Sequence, residues 1–370
     1  MLRQYRVRDY DFKLIILVAA LTVIGIFAVG SAADESLQRT QMAGFIFGSF
    51  LMIVISLFDY SVLLKLYWLF YIGNIGLLLL VYQFGESSNN AQRWITLFGI
   101  RFQPSEIAKI MLILFYAQFI MKHREKLNTF KYIALCCSFV LPSLYLIYKQ
   151  PNLSTTILVA VVFCVIMFVG GISWKLVAGV LAVFIPTAII LFGIIIQPDQ
   201  TLIKDYQQTR ILAFLNPEQY ATAEAYQQLN SIMAIGSGQL HGKGYNTNEI
   251  SSVKNGNFIS EPQTDFIFAV IGEEFGFIGA CTVIILLMLI TLECLVIAHK
   301  AKDLAGSIIA AGMAGLIGFQ GFLNIGVTTM LLPNTGVTLP FVSYGLTSLV
   351  SLYIGIGFVL NVGLQCKKYY

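Results

Sequence analysis

Ten long apolar runs divide the sequence of 370 residues, and no other feature constrains the fold as much. About 20 apolar residues span a bilayer as a helix, and a helix satisfies its own backbone hydrogen bonds within the lipid. Charged residues make up 11% of the sequence, against about 25% in an ordinary soluble domain. We therefore predict an all-α polytopic membrane protein, with residues 1–370 forming a single integral membrane domain. The predicted spans are residues 14–33, 42–58, 62–82, 105–121, 131–148, 153–172, 174–196, 265–298, 304–332 and 341–364.

The basic residues are unequally distributed among the predicted loops, and this bias sets the orientation of a membrane protein. With the amino terminus inside, fourteen of the 23 lysine and arginine residues fall on the cytoplasmic side, mostly in short loops. Ten spans return the carboxyl terminus to the cytoplasm, where Lys367 and Lys368 agree with that orientation. The net charge of +4 then reflects topology, and we expect no nucleic-acid partner.

Two polar segments interrupt the apolar pattern on the predicted outer side. Residues 83–104 alternate polar and apolar side chains around Phe98 and Gly99, which predicts a short hairpin at the membrane surface. Residues 197–264 form one large extracellular loop between spans seven and eight. Within it, residues 217–235 have helically spaced apolar residues, which predicts an amphipathic helix on the outer leaflet. Its apolar face consists of Tyr226, Leu229, Ile232 and Met233.

A glycine-rich stretch follows this predicted helix and has two interpretations. It does not match a nucleotide P-loop, because Ser237 occupies the position of the first glycine in that motif. It is either a flexible turn, which we favour, or a cradle of backbone amides in which Lys243 faces a lipid pyrophosphate. The glycines of this stretch are Gly236, Gly238, Gly242 and Gly244.

Ionisable residues within or beside the predicted spans are the candidate functional residues, because such groups are costly in a membrane. At i and i+3 on one helix, Glu106 and Lys109 share a face and are close enough to pair. That pair either fixes helix packing or lines a functional pocket, and we favour the pocket. Asp265 either satisfies the free amides of a helix start or has a chemical role. The consecutive Glu273 and Glu274 diverge on a helix, so we expect one of them to be a bystander.

Motifs from the third predicted span to the last carry a resemblance to a known family. The sequence resembles the SEDS family (shape, elongation, division and sporulation), whose best-known members are RodA and FtsW. Together the motifs are highly specific, although a fragment as short as NIG is not. The matching strings are QRWI (92–95), RFQPSEIAK (101–109), QPNLSTT (150–156), GGISW (170–174), AIGSG and GKG (234–238 and 242–244), TDFIFAVIGEEFG (264–276), NIG (324–326) and LPNTGVTLPFVSYG (332–345).

The resemblance implies a peptidoglycan glycosyltransferase that polymerises lipid II at the outer face of the bacterial cytoplasmic membrane. It also implies a class B penicillin-binding protein, a transpeptidase, as partner, and undecaprenyl pyrophosphate as leaving group. The family places an essential acid at the position of Asp265, and an acid and a base at those of Glu106 and Lys109. Asp265 is then the candidate general base. The candidates for holding the pyrophosphate by positive charge are Arg101, Lys109, Arg210 and Lys243.

The resemblance leaves the cofactor open and the match is incomplete. A divalent cation, Mg or Mn, could share the work of the basic residues, although the sequence has no dedicated cage for one. Ser260 and Glu261 stand where the family has Pro-Glu, and Glu261 is a supporting candidate. Asn152 stands where the family has aspartate, which argues against a catalytic role for that position. The short tails and the QRWI and RFQPSEIAK strings favour an elongation-type member, like RodA, over a division-type member.

Two other functions fit part of the sequence. A lipid II flippase would suit ten helices with an intramembrane Glu106–Lys109 pair and with glycine and proline inside spans. The two halves of the chain, however, show no convincing repeat. A non-catalytic scaffold for a transpeptidase is the third possibility, and it predicts that Asp265→Asn is harmless.

Overall fold

The computed structural model describes residues 9–88, 91–97, 100–197, 200, 203, 205–222, 225–246, 256 and 258–366. These residues form thirteen α-helices, two 3-10 turns and one small sheet. The helices are α1 (Phe12–Ala32), α2 (Glu35–Leu57), α3 (Tyr60–Leu63), α4 (Tyr67–Phe84), α5 (Pro104–Lys122), α6 (Phe130–Lys149), α7 (Leu153–Val169), α8 (Trp174–Ile195), α9 (Asp205–Leu215), α10 (Tyr226–Ser237), α11 (Ile267–Lys300), α12 (Leu304–Thr328) and α13 (Leu346–Leu364). The strands are β1 (Glu86–Ser88), β2 (Ala91–Leu97) and β3 (Ile100–Phe102).

Nine helical segments within the described residues are long and apolar enough to cross a membrane. They are α1, α2, α3 with α4, α5, α6, α8, α11, α12 and α13, and the apolar α7 is somewhat shorter. These ten segments coincide with the ten apolar runs, so the prediction of a helical multi-pass membrane protein is confirmed. The inside location of both termini and the single domain stay predictions.

Residues 329–345 differ most from the prediction, which assigned parts of them to two spans. α12 ends at Thr328 and α13 begins only at Leu346, so the residues between them form a connecting segment without helix. The segment contains two prolines and Gly336, whose φ is +68°, and neither feature suits a continuous helix. This connecting segment lies against the residues that precede α11.

α11 has 34 residues, which is more than one bilayer crossing requires. Gly276 interrupts the helix with φ 64° and ψ −161°, in the left-handed region that favours glycine. Two amides just after the kink bond outside the helix: Phe277 N donates to Gln239 O at 2.8 Å, and Ile278 N donates to Leu240 O at 3.3 Å. The extra length of the predicted run 265–298 is therefore accommodated by a kink.

The membrane segments differ greatly in burial. α5 is central: fifteen of its 19 residues are buried, and it packs against α4, α7, α12 and α13. α12 and α13 are also largely buried. α8 has no buried residue, and its exposed apolar surface suits contact with lipid. Glu106 and Lys109 on α5, and Gln320 and Asn324 on α12, therefore lie on helices that mostly face protein.

The segment between α4 and α5 folds as an antiparallel sheet in the order β1-β2-β3. Ile95 pairs with Phe102, so the hairpin predicted within residues 83–104 is confirmed. Its predicted tip at Phe98 and Gly99 lies outside the described residues.

α10 packs against α11 with Ala234 and Ile235 and forms hydrogen bonds with two polar side chains. Gln228 and Ser231 are buried, and they donate to backbone carbonyls near the end of α12, at 2.7 to 2.9 Å. The predicted amphipathic helix is confirmed, although it starts at Tyr226 rather than at residue 217. Its location on the outer leaflet stays a prediction. The exposed apolar residues of the helix are Tyr226, Ile232 and Met233.

Candidate active site around Asp265

Asp265 lies in the turn immediately before α11 and faces the connecting segment. A Cβ added to Gly336 would lie 3.2 Å from Asp265 Oδ2, so this glycine leaves room beside the carboxylate. The positive φ of Gly336 requires glycine for a second, independent reason. Asp265 is half-buried. Its carboxylate is thus confined on one side and accessible on another, as a group that reacts with a substrate must be.

Side chains of α12 and of the connecting segment hold the backbone around Asp265. Asn324 Nδ2 donates both to Asp265 O at 2.8 Å and to Val337 O at 2.7 Å, which ties the two segments together. Ser343 Oγ donates to Thr264 O at 2.6 Å. Because these residues are largely buried, each bond replaces water that the backbone would otherwise need. The position of Asp265 is therefore fixed by residues far from it in the chain.

The charges around Asp265 act in opposite directions on its acidity. Burial raises the pKa of the Asp265 carboxyl to about 6, and the nearby Glu261 carboxylate contributes to the rise. The guanidinium groups of Arg93 and Arg210 lower the same pKa. A carboxyl with this pKa is ionised at neutral pH and remains a useful proton acceptor, which is what a general base requires. Glu261 itself is exposed and has a φ of +52°.

Glu106 and Lys109 form the predicted ion pair on α5. Lys109 Nζ lies 2.9 Å from Glu106 Oε2, and the two residues are 3% and 6% exposed. The predicted pairing is confirmed. Lys109 Nζ also donates to Gln320 Oε1 at 3.1 Å, and Gln320 Nε2 donates to Thr338 O at 3.1 Å. Hydrogen bonds thus connect the pair to the connecting segment that faces Asp265.

The glycine-rich stretch forms a turn, as favoured, and its amides do not form a phosphate cradle. The backbone N–H groups of Lys243 and Gly244 donate to Glu273 O and Glu274 O at 2.9 and 3.0 Å, so these amides cannot also bind a phosphate. A Cβ on Gly238 would collide with the carbonyl of Gly272 on α11. Gly238 and Gly242 lie where two backbones approach closely, so this part of the stretch is tightly packed.

Lys243 and the two consecutive glutamates form bonds within the protein. Lys243 Nζ lies 2.9 Å from Glu273 Oε1, so its ammonium group faces a carboxylate of α11. Glu274 accepts hydrogen bonds from Ser31 Oγ and from Asn246 N. The two glutamates do face different partners, but both are buried and bonded. The expectation that one of them is a functional bystander stays a prediction.

The other predicted basic residues lie nearer the surface. Arg101 on β3 and Arg210 on α9 are exposed, and only Arg210 has a charge that acts on Asp265. Arg93, which the sequence analysis did not select, anchors the sheet by donating from Nε to Gln150 O at 3.2 Å. Asn152 accepts from Thr155 N at 3.3 Å and so caps the start of α7, which gives that position a structural role.

Sequence reasoning missed three residues that shape the site: Asn324, Gly336 and Gln320. The strings NIG and LPNTGVTLPFVSYG contain the first two but assigned no role to either. A buried amide within an apolar span is costly, and this cost was an available signal for Gln320 and Asn324.

No group of three His, Cys, Asp or Glu side chains able to hold a metal occurs among the residues that the structure describes. Asp265 and Glu261 are two neighbouring carboxylates. Mg²⁺ is often bound by one or two carboxylates together with phosphate oxygens of a substrate. Two carboxylates do not form a cage for a cation by themselves.

Fold and site together define an integral membrane protein with a half-buried acidic site at the start of one of its helices. The family model described as "cell cycle protein", for FtsW, RodA and SpoVE, matches residues 10–368. The chain belongs to this family.

Several relatives and solved structures resemble the chain over nearly its whole length. Peptidoglycan glycosyltransferase MrdB of Escherichia coli K12 is 35% identical, with 96% of this chain and 94% of that protein covered. A probable peptidoglycan glycosyltransferase FtsW of Geobacter metallireducens is 31% identical, with 98% and 96% covered. The crystal structure of the rod shape determining protein RodA of Thermus thermophilus superposes with a TM-score of 0.70 at 28% identity, covering 96% of each chain. A chain from a structure described as a peptidoglycan synthase complex that coordinates polymerisation and crosslinking gives a TM-score of 0.79 at 29% identity, with 96% and 97% covered.

Proposed function

We propose that this protein is a peptidoglycan glycosyltransferase that polymerises lipid II, with Asp265 as its general base. The observation that carries the proposal is the setting of Asp265: a half-buried carboxyl with a pKa raised to about 6, beside a glycine that leaves room for it. Such a group is ionised at neutral pH and basic enough to accept a proton from a hydroxyl group. The names of the relatives support the class of reaction.

The proposed reaction forms one bond and breaks another. The 4-hydroxyl of one disaccharide attacks the anomeric carbon of a second disaccharide, and Asp265 accepts the hydroxyl proton. As the new carbon–oxygen bond forms, the bond between the anomeric carbon and the pyrophosphate oxygen breaks. Undecaprenyl pyrophosphate leaves with the electron pair, and the configuration at the anomeric carbon inverts. Positive charge near the pyrophosphate stabilises the transition state.

We assign that positive charge to Arg210 and Arg101, which are exposed. Lys109 and Lys243 each face a carboxylate at 2.9 Å, and this supports a role in holding the site together instead of binding substrate. A divalent cation, Mg or Mn, bound together with the substrate would supply further positive charge to the pyrophosphate.

We place the reaction at the outer face of the bacterial cytoplasmic membrane, with the prenyl chain of lipid II in the bilayer. A transpeptidase of the class B penicillin-binding proteins is the proposed partner. The similarity to a chain of a synthase complex that coordinates polymerisation and crosslinking supports this partner, because a transpeptidase makes crosslinks. The role in cell elongation is proposed from the same resemblance.

The test is polymerisation of labelled lipid II by the purified protein with its penicillin-binding partner, resolved on a gel. Wild type should give a ladder of glycan strands, and Asp265→Asn should reduce the rate by about 10²- to 10⁴-fold, as expected for loss of a general base. Asp303→Asn is the matched control, because Asp303 also precedes a helix and accepts from Gly306 N at 2.8 Å and from Tyr60 Oη at 2.9 Å, two bonds that an asparagine oxygen can also accept. It should retain activity.

Two results would contradict the proposal. A folded, partnered wild type that moves lipid II across vesicles but forms no ladder would be a flippase. An Asp265→Asn variant that polymerises lipid II as fast as wild type would show that Asp265 is not the general base.

A further inference from the structure

Among the described residues of α12, Gln320 alone has a side chain that forms hydrogen bonds with both the Glu106–Lys109 ion pair and the connecting segment. It is fully buried. Its Oε1 accepts from Lys109 Nζ at 3.1 Å, and its Nε2 donates to Thr338 O at 3.1 Å and to Thr338 Oγ1 at 3.2 Å. A single amide group therefore spans the gap between α5 and the segment that faces Asp265.

The charge of Lys109 determines which way this amide points. A lysine ammonium group can only donate, so the oxygen of Gln320 must face it and the NH₂ group must face Thr338. Rotating the amide by 180° would place its NH₂ group against the Lys109 ammonium group, so that two donors face each other. The Thr338 carbonyl would then lose its hydrogen-bond donor. Glu106 keeps Lys109 in place at 2.9 Å. The ion pair thus selects the amide orientation in which Gln320 can hold the connecting segment.

Gln320 and Asn324 act on neighbouring residues of that segment. They lie at i and i+4, on one face of α12. Asn324 holds Val337 O, and Gln320 holds Thr338 O. The next residue before Val337 is Gly336, which borders the Asp265 carboxylate. Loss of the hydrogen bond to Thr338 would therefore allow Gly336 and its neighbours to move away from the Asp265 carboxylate.

We propose that Gln320 is a positioning residue. It couples the Glu106–Lys109 ion pair to the part of the connecting segment that borders Asp265. The inference rests on the proposed glycosyltransferase function and deepens it, because it gives the ion pair a role without contact to substrate. Gln320 acts through the connecting segment and does not touch the reacting atoms.

The sharpest variant is Gln320→Glu, which keeps the shape and the acceptor for Lys109 but removes the donor to Thr338. We expect kcat with lipid II to fall roughly 10- to 100-fold, the cost typical of a displaced site, with little change in KM. A role in packing alone predicts no such fall in the kcat of the folded variant.

A double-mutant cycle separates transmission from general support of the segment. Gln41 is the matched control: it is buried on α2 and donates to Ser343 O at 3.0 Å, at the far end of the same segment. Lys109→Met combined with Gln320→Leu should lose no more activity than the worse single variant. Lys109→Met combined with Gln41→Leu should lose the product of the two single effects. Additive losses in both cycles would overturn the proposal.

Hydrogen exchange keeps the inference testable without activity. Exchange of the amides of residues 335–343 should rise in Lys109→Met relative to wild type, because the amide of Gln320 loses its fixed orientation. If the wild-type protein makes no glycan, the proposed reaction is wrong. The exchange measurement still tests whether Lys109 and Gln320 stabilise the connecting segment. Unchanged exchange in Lys109→Met, or a folded Gln320→Glu with wild-type kcat, would refute the role of Gln320.

Discussion

Two glycine-containing segments pack against α11 or the turn before it, and they use glycine for different ends. In the connecting segment, Gly336 makes room for the carboxylate of Asp265, and buried amides hold the surrounding backbone. In the glycine-rich stretch, Gly238 and Gly242 make room for the backbone of α11, and the amides that follow bond to its carbonyls. Glycines in these segments therefore mark places where another group comes close to the backbone. A functional site can form where that group is a carboxylate, and a packing contact forms where it is another backbone.

The largest effect is expected from reversing a charge behind the connecting segment. Lys109→Glu would put two carboxylates in a dry site, and we expect about 3–5 kcal/mol less stability and no detectable polymerisation. Combining Glu106→Lys with Lys109→Glu should recover part of the activity, because the pair is restored. Recovery should be partial, because Gln320 then faces an acceptor. Thermal unfolding in detergent and glycan yield measure both effects, and a swap as inactive as each single reversal would deny that pairing is the main role.

The glycine-rich stretch should respond to substitution through stability. Gly238→Ala drives a methyl group into the carbonyl of Gly272, and we expect a loss of about 3 kcal/mol or more. Gly236→Ala is the matched control, because it lies in α10 with nothing within 4 Å of the added Cβ. It should be neutral or stabilising by about 0.4–1 kcal/mol. Two stable variants that both bind lipid II weakly would instead identify a phosphate cradle.

Lys243 and Arg101 should separate stability from substrate binding. Lys243→Met leaves the buried Glu273 without its ammonium partner, so we expect about 2–3 kcal/mol less stability and an unchanged KM for lipid II per folded molecule. Arg101→Gln removes an exposed charge, so we expect a higher KM with unchanged stability. Unfolding temperatures and initial rates report the two quantities, and the opposite assignment of effects would return Lys243 to the pyrophosphate site.

The smallest effects concern the pH dependence of activity. Asp265 must be ionised to accept a proton, so the wild-type rate should fall as the pH drops below about 6. Glu261→Gln removes a negative charge that raises the pKa of Asp265, so the acidic limb should move to lower pH. Arg210→Gln removes a positive charge that lowers it, so the limb should move to higher pH. Shifts in the same direction for both variants would exclude Asp265 as the titrating group.

Local features of the sequence were sufficient for the class of fold and for part of the site. The length of an apolar run determines whether a helix can cross a membrane, and the spacing of Glu106 and Lys109 on one helix determines that they can pair. Both properties involve neighbours in the chain. Burial was not predictable in this way: α5 is the least apolar of the candidate spans and the most buried, while the highly apolar α8 has no buried residue.

The rest of the site depends on residues that are distant in the sequence. Lys109 and Gln320 are separated by 211 positions, and Asp265 and Asn324 by 59. The pairing of Lys243 with Glu273 brings together residues that the sequence offered as independent candidates. Spacing along one helix cannot reveal such contacts, and only the packing of helices decides them.

The kink at Gly276 has a consequence for how the chain enters the membrane. The amides of Phe277 and Ile278 donate to Gln239 O and Leu240 O, which belong to the segment between α10 and α11. An amide left bare in lipid costs several kcal/mol. Without residues 239 and 240, we therefore expect α11 to be straight at Gly276, because a straight helix satisfies these amides internally. The bend in α11 therefore depends on the segment that precedes the helix, and we expect the two to reach their final conformation together.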